Sequence, residues 1–301
     1  MSVTVAVVSY NVAPLLERCL RSAAAALTEV GGGTLIVVDN ASSDESAAIV
    51  RREFPSAQLV ENSTNVGFGA GCNVALEAST TESVLFLNPD AELGTGALPA
   101  LLRRLQSVPG AALVGPHVRY PDGRPQPTRR RFPTLPVLAL ESTPLEWRGP
   151  RWPALARYNR DDAPATASRE DWLSGACLLG RVAALREVGG FDSTFFMYFE
   201  EVDLAQRLAA RGWETWYEHA AQAAHHHSRS ADQDLVSKDQ RYFRSKYRYA
   251  ARYFGPNNAR LLRLWSAALF AAELALQRRR GDAALVRRYA ALVRWHLGPD
   301  R

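Results

Sequence analysis

The sequence predicts an α/β fold with a mostly parallel central sheet, followed by a C-terminal helical extension. Three observations carry this. Short apolar runs rich in β-branched residues recur through the first ninety residues, stretches of helical spacing separate them, and the last seventy residues turn basic and helix-forming. With 301 residues, 47% of them hydrophobic and 22% charged, the chain is of ordinary globular composition and long for one simple domain. The division expected is a body of residues 1–230 and an extension of residues 231–301.

Residues 3–8, 35–39, 58–61 and 84–87 read as strands buried on both faces. Between them, residues 14–27, 43–54 and 71–79 read as helices. Strand–helix alternation at this spacing means βαβ units with right-handed crossovers. A helix near 97–106 and a strand at 111–114 continue the pattern. Residues 116–170 then form a long connection that holds seven prolines between Pro116 and Pro144, with Arg129–Arg131 among them. Long loops of this kind act as lids or binding loops. Regular structure resumes with a strand over 172–180, helices at 181–188 and 202–211, and a strand at 215–218.

Beyond Ser230, Arg241, Arg244, Arg248 and Arg252 line one helix face, and Phe243, Tyr247 and Phe254 another. Leu261, Trp265, Leu269, Ala272 and Leu276 form a second apolar stripe, read as a packing face. The densest apolar run, 265–276, is far short of the ~20 residues needed to span a bilayer. Residues 231–301 carry fifteen Lys/Arg against six Asp/Glu, a net of +9, while the rest of the chain is −4. This tail reads either as a contact for an anionic partner or as a solvated helical face.

Cys19, Cys72 and Cys177 are odd in number and widely spaced, which fits a reducing compartment better than a disulfide framework or a zinc site. No basic stretch precedes the first apolar run, so no signal peptide is expected. The chain is assigned to the cytoplasm, with the tail open to peripheral contact at the inner face of the cell membrane.

In a parallel sheet, ligands bind outside the carboxyl ends of the strands, and the polar residues gather there. Ser9-Tyr10-Asn11 follows the first strand, Asp39 to Asp44 the second, and Asn88-Pro89-Asp90 the fourth. A carboxylate at such a point can accept a hydrogen bond from a base N–H or a ribose hydroxyl. Ser43 and Asp44 equally fit a plain helix cap. Asn65 to Asn73 is a glycine-rich turn opening a helix, where Gly67, Gly69 and Gly71 allow close backbone approach. It lacks the G-x-G-x-x-G spacing and follows the third strand, which argues against an NAD-dependent oxidoreductase. Asp90 is placed to hold a divalent cation on a diphosphate.

Glu200, Glu201 and Asp203 put three carboxylates at a helix start, directly after the aromatic run from Phe195 to Phe199. Carboxyls beside buried aromatics take raised pKa values and act as bases. An acidic helix start stabilised by the helix dipole is the competing reading. His225-His226-His227 follows at a strand end and can ligate a metal.

As an ordered set, VAVVSYN, VVDNASSD, NVGFGAGCN, LNPD, WLSGACLLGR, GGFDSTFFMYFEEVDLAQRLAARGW and AHHHS resemble glycosyltransferase family 2, in particular its rhamnosyltransferase-like branch. The resemblance covers about residues 3–230. It implies a GT-A nucleotide-sugar-binding fold and an inverting transfer from a nucleoside-diphosphate sugar, such as dTDP-rhamnose or a UDP-sugar. The acceptor implied is a saccharide or lipid-linked saccharide in cell-surface polysaccharide synthesis.

Residue by residue, the resemblance puts Ser9, Asn11, Asp39, Asn65, Gly67 and Asn88 around the donor. Asp90 and His225 would hold Mn2+ or Mg2+, with Asn88 standing where the family's first metal-site carboxylate lies. Glu201 would be the general base, at a position usually filled by Asp. Trp172, Gly175, Glu200 and Asp203 would belong to the acceptor side. No nucleic-acid partner is implied, and a homodimer is compatible. The rivals are a sugar nucleotidyltransferase, which lacks its glycine- and basic-rich signature here, and a degenerate member acting only as a nucleotide-sugar-binding or scaffold subunit.

Overall fold

The structure is a computed structural model that describes residues 1–148, 152–160, 164–226 and 235–299. The chain forms two compact units. The first comprises residues 1–131, 160–196 and 200–230, and the second 132–159, 197–199 and 231–301. The expected division after residue 230 therefore leaves two inserted segments in the earlier part of the chain, and its boundary lies outside the described residues.

In the first unit the strands β1 (Val3–Ser9), β2 (Thr34–Asp39), β3 (Gln58–Glu61) and β4 (Ser83–Leu87) are all mutually parallel, in the order β3-β2-β1-β4. β10 (Cys177–Arg181) adds antiparallel to β4 and to β6 (Ala111–Arg119), and β11 (Glu214–His225) runs parallel to β6. β5 (Ala91–Leu93) closes one edge against β11, and β8 (Ser168–Glu170) pairs with β11 off the main path. Val5, Val7, Ile36, Val37 and Leu85 are inaccessible to solvent, as expected of a sheet covered on both sides. α1 (Ala13–Glu29) covers one face with Leu16, Cys19, Leu20, Ala23 and Leu27, a helical apolar stripe. Thr4, polar in the middle of β1, is satisfied by the hydroxyls of Ser79 (3.0 Å) and Thr81 (2.9 Å).

Several boundaries differ from expectation for local reasons. The strand expected over 172–180 is two pieces, β9 (Trp172–Leu173) and β10, separated by a turn at 174–176. β9 leaves the main sheet to pair with β7 (Arg129–Arg130). α3 (Phe68–Ala78) begins three residues earlier than its glycines suggested, because Gly67 caps it with φ +90° while Gly69 and Gly71 lie inside. Those two are helical glycines because the helix is pressed close: a Cβ at Gly71 would meet Val8 at 2.7 Å. α9 (Glu200–Ala209) starts at the first of its carboxylates. β11 runs seven residues past its expected end and delivers His225.

The proline-rich connection is more ordered than a loop. Its later part folds into α5 (Leu135–Leu140), α6 (Pro144–Arg148) and α7 (Pro153–Tyr158), all in the second unit. Pro136, Pro144 and Pro153 lie in the first turns of these helices, where no backbone N–H is needed. Arg129 is buried against Glu170 at 2.9 Å and stacks over Tyr217, so it is a structural cation.

The second unit also contains α10 (Leu235–Phe254), α11 (Pro256–Arg280) and α12 (Ala283–Leu297), packed around Phe243, Phe270, Leu274, Tyr289 and Leu292. The four arginines of α10 are exposed, as expected. The α11 stripe is reversed. Its buried face is Ala259, Leu262, Ser266, Ala267, Phe270, Glu273, Leu274 and Gln277, whereas Leu261 (62% exposed), Leu264 (57%) and Trp265 (43%) face outward. Polar residues can occupy the inner face because they are bonded there: Glu273 accepts from Arg148 and from Gln277.

Candidate active site

The ends of β1 and β2 leave two polar atoms buried and unsatisfied. Ser9 and Asp39 are register partners on adjacent parallel strands. Asp39 Oδ2 accepts the Ser42 N–H at 2.9 Å, while Asp39 Oδ1 and Ser9 Oγ are shielded from solvent without a hydrogen-bond partner. Buried polar atoms without partners cost about 1–3 kcal/mol each, so they are kept where a ligand satisfies them.

Asn11 is engaged with the loop after β2. It adopts a left-handed conformation (φ +50°), its Oδ1 accepts from the Ser43 N–H at 2.7 Å, and its own N–H donates to Ser42 Oγ at 3.0 Å. Its side chain staples the loop after β2. Asp44 is likewise a turn residue, accepting from the backbone of Ala13 and Ser46. Asn65 Oδ1 accepts the Gly67 N–H at 3.0 Å, and Asn40 Nδ2 donates to the Gly67 carbonyl at 3.1 Å. Asn62 in turn donates to Asn40 Oδ1. Asn40 was not singled out from sequence, although it stands inside the quoted VVDNASSD motif. At Gly67 a Cβ would lie 2.3 Å from the Phe196 carbonyl, so only glycine fits.

Asn88 leaves β4 with its N–H bonded to the Ala176 carbonyl, which keeps the side chain half-buried beside the strand end. Asp90 and His225 are brought together: Nε2 of the imidazole is 3.2 Å from Asp90 Oδ1, and both residues are buried. His225 Nδ1 is 3.1 Å from Gln126 Oε1, a contact that orients the ring and leaves Nε2 toward the carboxylate. Gln126, in the connection after β6, carried no signal in sequence. His226 pairs with Glu92 at 2.6 Å instead, and His227 lies outside the described residues. Among the described residues no three His, Cys, Asp or Glu side chains converge as a metal cage. One carboxylate and one imidazole suit a cation whose remaining ligands are diphosphate and water oxygens.

On α9, Glu200 and Glu201 point their Oε2 atoms into shielded space with no partner. Burial pushes both carboxyls up. For Glu200 the neighbouring Glu201 charge adds to the rise, and for Glu201 nearby backbone N–H groups, including that of Gly175, hold it back. Gly175 lies close: its Cβ, were it present, would be 3.9 Å from Glu201. Gly69 at the start of α3 packs on the Glu200 side chain.

The other two expected acceptor-side residues are committed elsewhere. Asp203 is inaccessible and paired with Arg207 at 2.7 Å, whose guanidinium also donates to the carbonyls of Val188 and Gly190. The Trp172 indole is buried and donates to the Arg131 carbonyl at 2.8 Å. Both tie parts of the frame together.

The model of the family described as "Glycosyl transferase family 2" matches residues 4–200. An N-acetylglucosaminyl-diphospho-decaprenol L-rhamnosyltransferase of Mycobacterium tuberculosis is 33% identical over 82% of this chain and 83% of its own length. The Escherichia coli rhamnosyltransferase WbbL is 27% identical over 62% of this chain and 70% of its own. Among solved structures, a mannosyltransferase from Pyrobaculum calidifontis in complex with GDP-Man and Mn2+ superposes with a TM-score of 0.57. It is 19% identical, and the match covers 98% of this chain and 83% of that one. At that identity the likeness concerns the fold.

The paired carboxyls have a pH signature. A glutamate raised above its ordinary 4.5 in the folded state contributes stability that is full below 4.5 and is lost as pH rises through the folded value. Urea midpoints of the ligand-free protein should therefore fall as pH rises from 4.5 toward 8, and Glu200→Gln should lessen the fall and stabilise the protein at pH 8. A variant less stable than the parent at pH 8 would contradict the buried-charge account.

Proposed function

Given that this chain belongs to glycosyltransferase family 2, we propose that it transfers a sugar, with rhamnose favoured, from a nucleoside-diphosphate donor to a lipid-linked saccharide, inverting the anomeric centre. The chain is a glycosyltransferase of polysaccharide synthesis. The donor, acceptor and stereochemistry are the proposed part, supported by the name of the mycobacterial relative. The observation that carries the mechanism is Glu201: a shielded, unpartnered carboxylate oxygen with its acidity weakened by burial, at the head of a helix beside Gly175.

Ser9 Oγ and Asp39 Oδ1 bind the base and ribose of the donor, satisfying both orphaned atoms at once. Asn40 and Asn65 fix the Gly67 turn against the donor side of the sheet. Glu201 takes the proton of the acceptor hydroxyl. The acceptor oxygen bonds to C1 of the sugar as the bond from C1 to the diphosphate breaks on the opposite face, and the nucleoside diphosphate leaves. Asp90 and His225 would hold Mn2+ or Mg2+, which offsets charge on the diphosphate when bound.

The second unit is proposed to rest on an anionic membrane surface. The outward face of α11 exposes Leu261, Leu264, Trp265 and Ala272, with Leu269 and Leu276 half-buried beside them, Arg260 at one end and Arg278 to Arg280 at the other. Apolar residues flanked by arginines suit the headgroup boundary of an anionic bilayer. Among the described residues no helix is long and apolar enough to cross a membrane.

Three outcomes are expected. Glu201→Gln should lower kcat by about 10²–10⁴-fold with donor Kd unchanged, measured by transfer assay and calorimetry; parental turnover would move the base elsewhere. Asp90→Ala should abolish the Mn2+-dependent part of the thermal stabilisation given by UDP or dTDP, and undiminished metal dependence would remove Asp90 from the site. In vesicle co-sedimentation the chain should bind phosphatidylglycerol vesicles, release in high salt and lose binding on Trp265→Ser with Leu261→Ser. Equal partition to neutral vesicles would replace the membrane with another occupant of that face.

A further inference from the structure

We propose that the Tyr217 hydroxyl, clasped between the imidazoles of His117 and His219, is a positioning group for His225. It holds in place the end of β11 that brings this imidazole to Asp90. All the residues involved lie in the first unit, and the role depends on the reading of Asp90 and His225 as the metal-holding pair.

β11 does not reach His225 by regular pairing. Glu218 is the register partner of Pro116 on β6, and the next pair is Gln222 with His117, so residues 219–221 stand opposite no residue of β6. Extra residues in one strand re-aim every side chain beyond them. Past the bulge the pairing is regular again: Ala223 faces Val118 and Leu93, Ala224 faces Arg119 and Glu92, and His225 faces Ala91, the residue after Asp90. Where His225 points therefore depends on the bulge keeping one shape.

Part of that shape is fixed within β11. Glu218 Oε1 accepts the Ala220 N–H at 3.0 Å, Gln222 Nε2 donates to the His219 carbonyl at 2.6 Å, and Arg104 holds Glu218 Oε2 at 2.8 Å. The clasp ties the bulge to β6. The Tyr217 hydroxyl is 2.8 Å from His117 Nδ1 and 3.3 Å from His219 Nδ1, and both His117 and Tyr217 are buried. A phenol carries one hydrogen and two lone pairs, so it donates to one imidazole and accepts from the other. Burial pushes Tyr217 up to about 12, so the phenol keeps its hydrogen. Burial first, and then Arg119, His219 and Arg129, hold His117 below its ordinary 6.5, so this imidazole stays neutral.

The same end of β6 carries the group that orients His225. Gln126 donates its N–H to the Val118 carbonyl at 2.9 Å, and its Oε1 lies 3.1 Å from His225 Nδ1. Arg119 donates to Gln222 Oε1 at 3.1 Å. Three consecutive residues of β6, His117, Val118 and Arg119, thus anchor the bulge, the orienting glutamine and the strand beyond the bulge.

The test uses the full chain and Tyr217→Phe, which removes the hydroxyl and keeps the ring that Arg129 stacks over. In hydrogen exchange, protection of the amides of residues 222–226 should fall severalfold, the effect of losing one hydrogen bond, with β1 and β2 unchanged. With UDP present, the Kd for Mn2+ should rise severalfold while the metal-free Kd for UDP stays the same. His219→Ala, which leaves the contact between Tyr217 and His117, should act in the same direction by less. Melting temperatures establish that each variant is folded. Unchanged exchange and Mn2+ affinity in folded Tyr217→Phe, or protection lost equally from β1 and β2, overturns the positioning role. If the parent shows no Mn2+-dependent binding of UDP, the metal reading of Asp90 and His225 fails, and the exchange contrast decides the clasp independently.

Discussion

A strand covered on both faces can carry polar side chains only where it leaves the sheet. That constraint organises the first unit. Along β1, β2 and β4 the residues that would contact either covering layer are Val, Ile, Leu, Ala and Phe, and Thr4 is admitted because two hydroxyls meet it. Polar chemistry is thereby swept to the carboxyl ends, where Ser9, Asp39 and Asn88 emerge on neighbouring strands. The site follows from the sheet rather than being added to it, and the loops beyond the strands need only hold what the strands deliver. Asn11, Asn40 and Asn65 do this by bonding backbone, and Asn62 by donating to Asn40 Oδ1.

The three acids at the head of α9 show how identical chemistry divides by environment. Asp203 faces inward and meets a guanidinium that also ties down two carbonyls, so its charge is fully compensated and serves rigidity. Among the described residues Glu200 and Glu201 have no cation paired with them, and the shielded Oε2 of each remains without a partner. An uncompensated buried carboxyl is held closer to neutrality and becomes a better proton acceptor. The helix N-terminus offsets part of the cost for all three. What separates the compensated acid from the uncompensated pair here is the presence of Arg207 one turn beyond Asp203.

Much of this was legible in the sequence, and the failures have physical causes. Apolar runs locate β1, β2 and β4 because a doubly covered strand has no alternative composition, whereas β3, expected to be buried on both faces, is an edge strand with Gln58 and Glu61 exposed. The acidic triplet marks α9, and Arg207 four residues after Asp203 is the local feature that tells Asp203 from Glu201, while the guanidinium's contacts to Val188 and Gly190 come only with the fold. Gln126 was invisible for the same reason, being ninety-nine residues from the His225 it orients. The prolines of 116–170 were read as loop markers, whereas three of them open short helices, where a missing N–H costs nothing. β5, β7, β8 and β9 are too short to carry a periodic signal.

The reversal of α11 is the most instructive of these. Its two apolar stripes differ in that one contains Ser266, Glu273 and Gln277, so hydrophobicity alone chooses the other as the packed face. The fold buries the mixed stripe because partners exist for it: Arg148 and Gln277 both reach Glu273, and Phe270 and Leu274 supply the apolar contacts within the same face. A buried acid with two donors is tolerated, and the cost of desolvating it is met locally. The consequence falls on the opposite side. On the outward row Trp265 donates to the Ala139 carbonyl of α5 and Leu269 and Leu276 are half-buried, while Leu261 and Leu264 remain exposed and a solvated helix has no need of them. Composition on that face is therefore set by something the helix touches outside its own packing, and the arginines at both its ends limit that neighbour to one that tolerates positive charge.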